Sequence, residues 1–206
     1  MTAPQSTLPR LLIATGNAGK VDEFRDLLAG CGWQVVAPNE IGLALAVEET
    51  GATYLENANL KAAAFSKASG LAALADDSGL EVDALDGEPG PLHHDGGWDG
   101  RDQAERIQIL LDALKDVPAE RRTARFRTVI VVLLPDGRRI EATGACEGVI
   151  AAAAAGDAGF GYDPVFYLPA EGMTMAELGL AAKNRLSHRA AAAAAISAEL
   201  RALANQ

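Results

Sequence analysis

The stretch LAALADDSGLEVDALDG, residues 71–87, joins a run of apolar residues to a pair of adjacent acids. Its first five residues predict a short buried strand over 71–75. Asp76 and Asp77 follow directly, where we expect the chain to leave the core. Two like charges side by side cost free energy unless a positive group lies near them. The stretch therefore predicts a strand that delivers two carboxylates to a polar site.

The residues before this strand predict alternating strands and helices. RLLIAT (10–15) and WQVVAP (33–38) are short apolar runs typical of buried strands. Helical spacing of apolar residues predicts a helix after each of them. Asn17 can cap the first of these helices. Thr53 can cap the second, with Glu56 as its capping-box partner, which gives Glu56 a structural role.

The second half of the chain has a different pattern. A helix is predicted over 107–114, and two β-rich runs in 123–151 flank the turn Pro135-Asp136-Gly137, which predicts a hairpin and a third strand. An alanine-rich helix ends the chain. This order predicts a mixed α/β fold with two lobes, and the absence of a separable linker predicts a single domain over 1–206.

Composition excludes several classes of partner. The 206 residues carry a net charge of -10, which argues against binding duplex DNA or an anionic membrane. No apolar run approaches membrane-spanning length. Cys31 and Cys146 lie far apart in the sequence, which is typical of a reduced, cytoplasmic protein. An anionic substrate would need a divalent cation and local lysines or arginines to overcome the acidic background.

The segment TGNAGKV (15–21) follows the first strand and opens the first helix, where a phosphate-binding turn belongs. It is not a Walker A loop, because Ala14 and Val21 occupy places where that motif needs Gly and Ser or Thr. The alternative is an ordinary strand-to-helix turn with Lys20 exposed.

Two further acids, Glu48 and Glu49, lie in a loop that can turn toward Asp76 and Asp77. Three or four carboxylates from separate segments would suit a hard cation such as Mg²⁺, which takes few protein ligands and leaves room for phosphate oxygens. A solvated acidic rim is the alternative, since the whole protein is acidic.

Two late motifs combine aromatic and basic residues. GFGYDPVF (159–166) places three aromatic rings around glycines, as a stacking platform for a base or as a plug in the core. In KNRLSHRA (183–190), Lys183, His188 and Arg189 precede the last helix, with Ser187 as its cap. This combination of donors suits an anion or a carbonyl oxygen.

Taken in order, TGNAGK, EETGATYLENANLKA, ADDSGLEVDALDGEPG, GFGYDPVF and KNRLSHR resemble the inosine/xanthosine triphosphate pyrophosphatase family over about residues 11–200. The resemblance implies an elongated mixed β-sheet flanked by helices, with the active-site cleft between two lobes. It also implies a homodimeric enzyme that uses Mg²⁺, which Mn²⁺ could replace. Such enzymes hydrolyse noncanonical purine nucleoside triphosphates (ITP, dITP and XTP) to the monophosphate and pyrophosphate.

The resemblance also implies roles for individual residues. The phosphate-binding residues would be Thr15, Gly16, Asn17, Lys20 and Lys61. The metal ligands would be Glu49 and Asp77, with Asp77 also the catalytic proton acceptor. Ser78 would contact the substrate and Asp76 would support the site. The base would lie against Phe160, Gly161, Tyr162 and Asp163, and its edge would meet Lys183, His188 and Arg189.

Asp77 can act in two ways. A free aspartate is a weak base at pH 7, so either its acidic neighbours raise its pKa or it orients a metal-activated water. The second alternative is favoured, because bound Mg²⁺ opposes a raised pKa. For the base, a 6-oxo group suits the donors of His188 and Arg189, whereas the amino group of adenine does not. Guanine shares the 6-oxo group, so its exclusion must arise around position 2.

One segment departs from the family. After Gly90 the family continues with Ser-Ala-Arg and an aromatic residue, but this chain reads PLHHDGGWDG (91–100), with Trp98 as the aromatic and no arginine before Arg101. This difference leaves two alternatives open: a nucleotide-binding protein with weak catalysis, and a pyrophosphatase of related fold for another modified nucleotide. His93 and His94 could bind an adventitious transition metal.

Overall fold

The computed structural model describes residues 8–91 and 102–204. The strands of this part are β1 (Arg10–Ile13), β2 (Gln34–Val36), β3 (Ala72–Val82), β4 (Thr123–Leu133), β5 (Arg139–Ile150), β6 (Phe166–Leu168) and β7 (Met173–Thr174). Its α-helices are α1 (Ala18–Leu27), α2 (Tyr54–Ser69), α3 (Gln103–Ala113), α4 (Leu180–Leu186) and α5 (His188–Ala204).

All seven strands form one mixed sheet in the order β2-β1-β3-β4-β5-β6-β7. β1 runs parallel to both β2 and β3, whereas every pair from β3 to β7 is antiparallel. The predicted mixed α/β class is confirmed. β3 is the strand at which the parallel part of the sheet meets the antiparallel part.

The predicted end of the strand at the aspartates was wrong. β3 continues for 11 residues, and Asp76 and Asp77 pair with Ile130 and Val129 of β4 inside it. The apolar run identified only the first half of the strand, because β-ladder pairing with β4 continues it through the polar residues. Both aspartates are therefore buried, with 3% and 8% of their surface exposed.

Side chains on β3 alternate between the two faces of the sheet. Leu74 packs with α1 and α5 residues in one apolar cluster, whereas Ala73 and Ala75 pack with α2 residues in another. Farther along, Leu80 and Val82 join a third cluster with α3 and β6. Apolar packing thus holds helices against both faces of β3, on either side of its polar centre.

The predicted helix caps are present. The Asn17 side chain accepts a hydrogen bond from the Lys20 backbone at the start of α1. Thr53 and Glu56 form a reciprocal capping box at the start of α2, so the structural role predicted for Glu56 is confirmed. These caps fix where α1 and α2 begin, and Lys20 and Lys61 extend from these two helices toward β3.

The later elements agree with the prediction in part. β4 and β5 form the expected hairpin around residues 135–137, but its third strand, β6, lies outside the β-rich run. Lys183 belongs to the separate helix α4, and Ser187 caps α5 by accepting from Ala190. Within the described ranges, no helix has the length and apolar character needed to cross a bilayer.

Gly144 should tolerate no side chain, because β5 passes α5 at this glycine. A Cβ atom there would overlap the His188 carbonyl oxygen and lie 2.8 Å from the Ala192 nitrogen. We expect Gly144→Ala to lower the free energy of unfolding by about 1–3 kcal/mol, measured by denaturant unfolding. Gly179→Ala is the control, since a Cβ atom there meets nothing within 4 Å. Equal stability of the two variants would contradict the close packing.

Candidate functional site

One face of β3 carries a cluster of two carboxylates around a lysine. Lys61 of α2 donates to Asp77 Oδ1 at 2.9 Å and to Glu49 Oε2 at 2.6 Å. The Asn57 side chain lies 3.5 Å from Asp77 Oδ2 and accepts from the Gly51 backbone at 2.8 Å. Asn57 thus ties the loop that bears Glu49 to the helix that bears Lys61. No pattern in the sequence marked Asn57 as a site residue, because polar residues early in a helix are common.

This cluster changes the acidity of its members. Burial raises the pKa of Asp77 to about 6, against the lowering effect of Lys61 and with support from the neighbouring Glu49 carboxyl. Burial alone would lower the pKa of Lys61, but Asp77 and Asp76 outweigh it and raise the pKa. Lys61 therefore keeps its charge, while Asp77 is a better base than a free aspartate.

Glu49 and Asp77 have a geometry that suits a hard cation. Their oxygens converge on one positive nitrogen, and two carboxylates are a donor set that Mg²⁺ uses when phosphate oxygens complete its coordination. The expectation of three or four meeting carboxylates was wrong, since the described residues contain no group of three or more potential ligands. Asp76 is on the other face of β3 because adjacent strand residues point to opposite sides.

On that second face, Asp76 is paired with two buried cations. Lys20 of α1 lies 2.9 Å from Asp76 Oδ2, and Arg189 Nε of α5 donates to the same oxygen at 3.0 Å. Arg189 also donates to Ser78 Oγ at 2.8 Å. Burial would raise the pKa of Asp76, but Lys20, Arg189 and Lys61 together hold it far below its ordinary value. Asp76 is thus a permanent anion.

Glu23 extends this ionic cluster and was missed by the sequence analysis. Its carboxylate accepts from Lys183 Nζ at 2.8 Å and from Arg189 at 3.2 Å, and it is only 4% exposed. Lys183 in turn donates to Asp163 Oδ2 at 2.8 Å. Glu23 lies three residues after Lys20, so a helical-face argument from that lysine could have found it.

The predicted phosphate turn lies beside Lys20. Gly16 and Asn17 are exposed, and the Thr15 hydroxyl accepts from the Asn17 backbone at 3.2 Å. The turn precedes a ten-residue helix, whose free N–H groups and dipole favour an anion at this end. Thr15, Asn17 and Lys20 are therefore close in the fold, as predicted, although Lys20 is already paired with Asp76.

A cavity of about 160 Å³ lies next to this ionic cluster. The residues that line it come from β3, the turn after it, α3, β4, the aromatic turn and α5: Ser78, Gly79, Leu80, Pro89, Gly90, Arg106, Phe126, Phe160, Gly161, Tyr162, Asp163, His188 and Arg189. Lys183 Nζ lies beneath one wall, 4.4 Å from the centre of the Phe160 ring. The cavity is therefore lined by both apolar and charged side chains.

The structure divides the rings of the aromatic turn between the cavity and the core. Phe160 and Tyr162 line the cavity, so they can contact a ligand. Phe166 is fully buried and packs on Phe126 with ring centres 4.5 Å apart. Asp163 fixes the turn by accepting from the Phe160 backbone at 2.9 Å. The turn is both a cavity wall and a plug in the core.

His188 is the first residue of α5, whereas the sequence analysis placed it before the last helix. Its ring stacks on Phe126 with centres 5.0 Å apart. Burial, reinforced by Arg189, lowers the pKa of His188 well below its ordinary value, so the imidazole is neutral. Its Nδ1 atom is buried and has no hydrogen-bond partner among the described residues. The residue also lines the cavity, so its ring can contact a ligand there.

The predictions for His93, His94, Trp98 and Arg101 lie outside the described residues. The first described range ends at Pro91, and Pro89 and Gly90 near its end line the cavity. Lys20, Lys61 and Glu49 contact the aspartates of β3 or each other, whereas Glu48 is exposed and makes no recorded contact with them. Glu23, Asn57 and Arg106 are additions to the predicted set.

This is an α/β protein: helices flank a seven-stranded mixed sheet, and the ionised residues lie on β3, the third strand in spatial order. The model of the Ham1 family matches residues 11–199. The chain therefore belongs to the Ham1 family, and the predicted family resemblance is confirmed.

Relatives match the chain over nearly its whole length. It is 48% identical to the dITP/XTP pyrophosphatase of Xanthomonas axonopodis pv. citri, over 95% of this chain and 99% of that protein. It is 50% identical to the protein of the same name from Symbiobacterium thermophilum, over 94% and 96%. The structure of a HAM1 protein from Coxiella burnetii superposes with a TM-score of 0.83 at 37% identity, covering 94% of this chain and 98% of that one.

The paired state of Asp76 predicts a pH-dependent stability. Asp76→Asn removes the anion between Lys20 and Arg189, and we expect a loss of about 3–5 kcal/mol at pH 7. Because the pKa of Asp76 is lowered in the folded protein, its contribution is complete above about pH 4 and declines as the pH falls below that value. The stability gap between wild type and variant should therefore narrow by about 1.4 kcal/mol per pH unit below pH 4.

Denaturant unfolding at pH 7, 5 and 3 measures this gap. The exposed Asp116→Asn is the matched control and should cost less than about 0.5 kcal/mol at each pH. A gap at pH 3 as large as that at pH 7 would contradict an ionised, paired Asp76.

Proposed function

We propose that this protein is a nucleoside triphosphate pyrophosphatase that hydrolyses noncanonical purine nucleoside triphosphates, with dITP, ITP and XTP as substrates. One observation carries the proposal: the carboxylate–lysine cluster and the cavity lie on the same strand, β3, through Asp77 and Ser78. The names of relatives about half identical over nearly the whole chain support the same reaction. A homodimeric state and a cytoplasmic location are part of the proposal.

The phosphates would bind at the N-terminus of α1. The exposed Gly16 and the free N–H groups in the first turn of α1 would meet them, beside the side chains of Thr15 and Asn17. Lys20 of α1 and Lys61 of α2 would add their charges. Burial lowers the pKa of Lys20, and Lys61 is near enough to help lower it. Both lysines are held by aspartates, which orients their charge before a substrate arrives. A triphosphate anion would add to these ion pairs, offsetting the acidity of a protein with net charge -10.

Glu49 and Asp77 would hold the divalent cation, since their oxygens converge. When bound, Mg²⁺ would neutralise phosphate oxygens and favour loss of a proton from the attacking water. Asp77 would orient this water and accept its proton. The water oxygen bonds to the α-phosphorus, the bond from the α-phosphorus to the bridging oxygen breaks, and pyrophosphate leaves.

The base would fill the cavity between the aromatic turn and α5. Phe160 and Tyr162 would contact its faces, and His188 would meet the 6-oxo edge through the donor of its neutral ring. Arg189 donates hydrogen bonds to Asp76, Glu23 and Ser78. These bonds fix the guanidinium, so the direction of its remaining N–H groups is set before a ligand binds. Adenine would place a donor against these donors, leaving buried groups unpaired.

Substrate profiling tests this proposal. We expect metal-dependent release of pyrophosphate from dITP, ITP and XTP, with slow release from ATP and GTP and none after EDTA. Asp77→Asn should lower kcat by about 100-fold or more, because it removes a general base and one cation ligand. The exposed Asp116→Asn, with the same change of charge, should retain wild-type activity.

Two results would favour the alternatives. Binding of ITP, seen as a raised melting temperature, without pyrophosphate release would support a nucleotide-binding protein with weak catalysis. A preference for pyrimidine or other modified nucleotides would support a related pyrophosphatase. Sedimentation of the pure protein tests the homodimer independently.

Glu23 should act as a positioning residue for base recognition. Its carboxylate holds Lys183 and Arg189 together, and a neutral amide cannot balance both charges. We expect Glu23→Gln to lower kcat/KM for dITP by about tenfold or more, mainly through KM. The exposed neighbour Asp22→Asn should change it little. A normal KM with a reduced melting temperature would show that Glu23 serves stability alone.

A further inference from the structure

Arg106 is a positively charged side chain that lines the cavity but does not belong to the ionic cluster of Asp76, Glu23, Lys183 and Arg189. It lies in the first turn of α3 and lines the cavity, where its Nε atom is buried and has no hydrogen-bond partner among residues 8–91 and 102–204. Arg189, by contrast, is bound to two carboxylates and a hydroxyl. Because Arg106 lines the cavity, a ligand there that accepts from its guanidinium gains a charge-assisted hydrogen bond.

The position of Arg106 separates it from the other donors of the cavity. His188 and Arg189 reach the cavity from α5, whereas Arg106 reaches it from α3, which packs with the apolar cluster of β6 and the far end of β3. Arg106 lies near Tyr162, where its charge opposes the effect of burial in raising the pKa of that hydroxyl. A base held at one edge by α5 therefore meets a second, independent cation on α3.

Purine bases differ in the group at position 2, and this group determines which of them a cation can bind there. A guanidinium has donors only and keeps its charge at every physiological pH. Hypoxanthine has only a hydrogen at position 2, and guanine has an amino group, which is a donor. Xanthine has an oxo acceptor there, and its ring readily loses a proton near neutral pH to become an anion. Arg106 thus matches xanthine, is indifferent to hypoxanthine and opposes guanine.

We propose that Arg106 is a specificity-determining residue that reads position 2 of the purine and favours a 2-oxo group. This inference rests on the proposed function, because it takes the α5 side of the cavity as the 6-oxo side. It assigns Arg106 a direct contact with the base, in a chain whose segment after Gly90 lacks the arginine that the family pattern contains.

The test compares xanthine and hypoxanthine nucleotides in binding and in turnover. Calorimetry with XMP and IMP, and kcat/KM with XTP and dITP, are measured for wild type, Arg106→Gln, Arg106→Lys and the exposed control Arg121→Gln. We expect Arg106→Gln to weaken XMP binding and XTP turnover by about 10- to 100-fold, with IMP and dITP changed less than about threefold. Arg106→Lys should recover part of the loss, and Arg121→Gln should match wild type.

Two results would overturn the proposal. An equal loss for xanthine and hypoxanthine nucleotides would place Arg106 on the ribose or phosphates, or give it a structural role. No loss for either would show that Arg106 does not touch the ligand. The binding experiment separates this question from the reaction: a protein that binds XMP through Arg106 but hydrolyses neither XTP nor dITP would refute the proposed function and retain this inference.

Discussion

The site depends on one constraint of the β-strand: neighbouring side chains point to opposite faces of the sheet. Asp76 and Asp77 are adjacent in β3, so their carboxylates take different hydrogen-bond partners. Asp76 meets Lys20 and Arg189 on the face covered by α1 and α5, and Asp77 meets Lys61 on the face covered by α2. The two acids that look redundant in the sequence therefore organise two different sets of basic residues.

This arrangement explains how a protein of net charge -10 can keep cations in its interior. On the α1 and α5 face, three acids balance three bases: Asp76, Glu23 and Asp163 against Lys20, Lys183 and Arg189. Burying such groups carries a desolvation cost, which only good geometry and complete pairing offset. The balanced set gives little net charge for a base to neutralise, so its role is to aim donors at the cavity. Lys20, a member of this set, lies in the first turn of α1 beside the exposed turn at residues 16–17.

Much of the architecture could be predicted from local sequence, because caps, turns and apolar spacing are local signals. Asn17, Thr53 and the turn at 135–137 were correctly assigned for this reason. The end of β3 was not, since pairing with β4 extends it through polar residues that no local pattern marks as a strand. Glu23 and Arg106 were missed for a related reason: each is an ordinary polar residue in its own helix. Their significance comes from partners, or from a cavity, contributed by distant segments.

Helix α1 links the two ends of the site through a single turn of backbone. Lys20 meets Asp76 and Glu23 meets Lys183, and three residues of α-helix separate them by about 4.5 Å along the axis. The backbone hydrogen bonds of the helix therefore fix the spacing between Lys20 and Glu23, whatever the lengths of their side chains. One residue inserted between them would rotate Glu23 by about 100° and carry it off the face that meets α4 and α5. Length variation in this family should therefore be tolerated in the hairpin turn and excluded from this turn of α1.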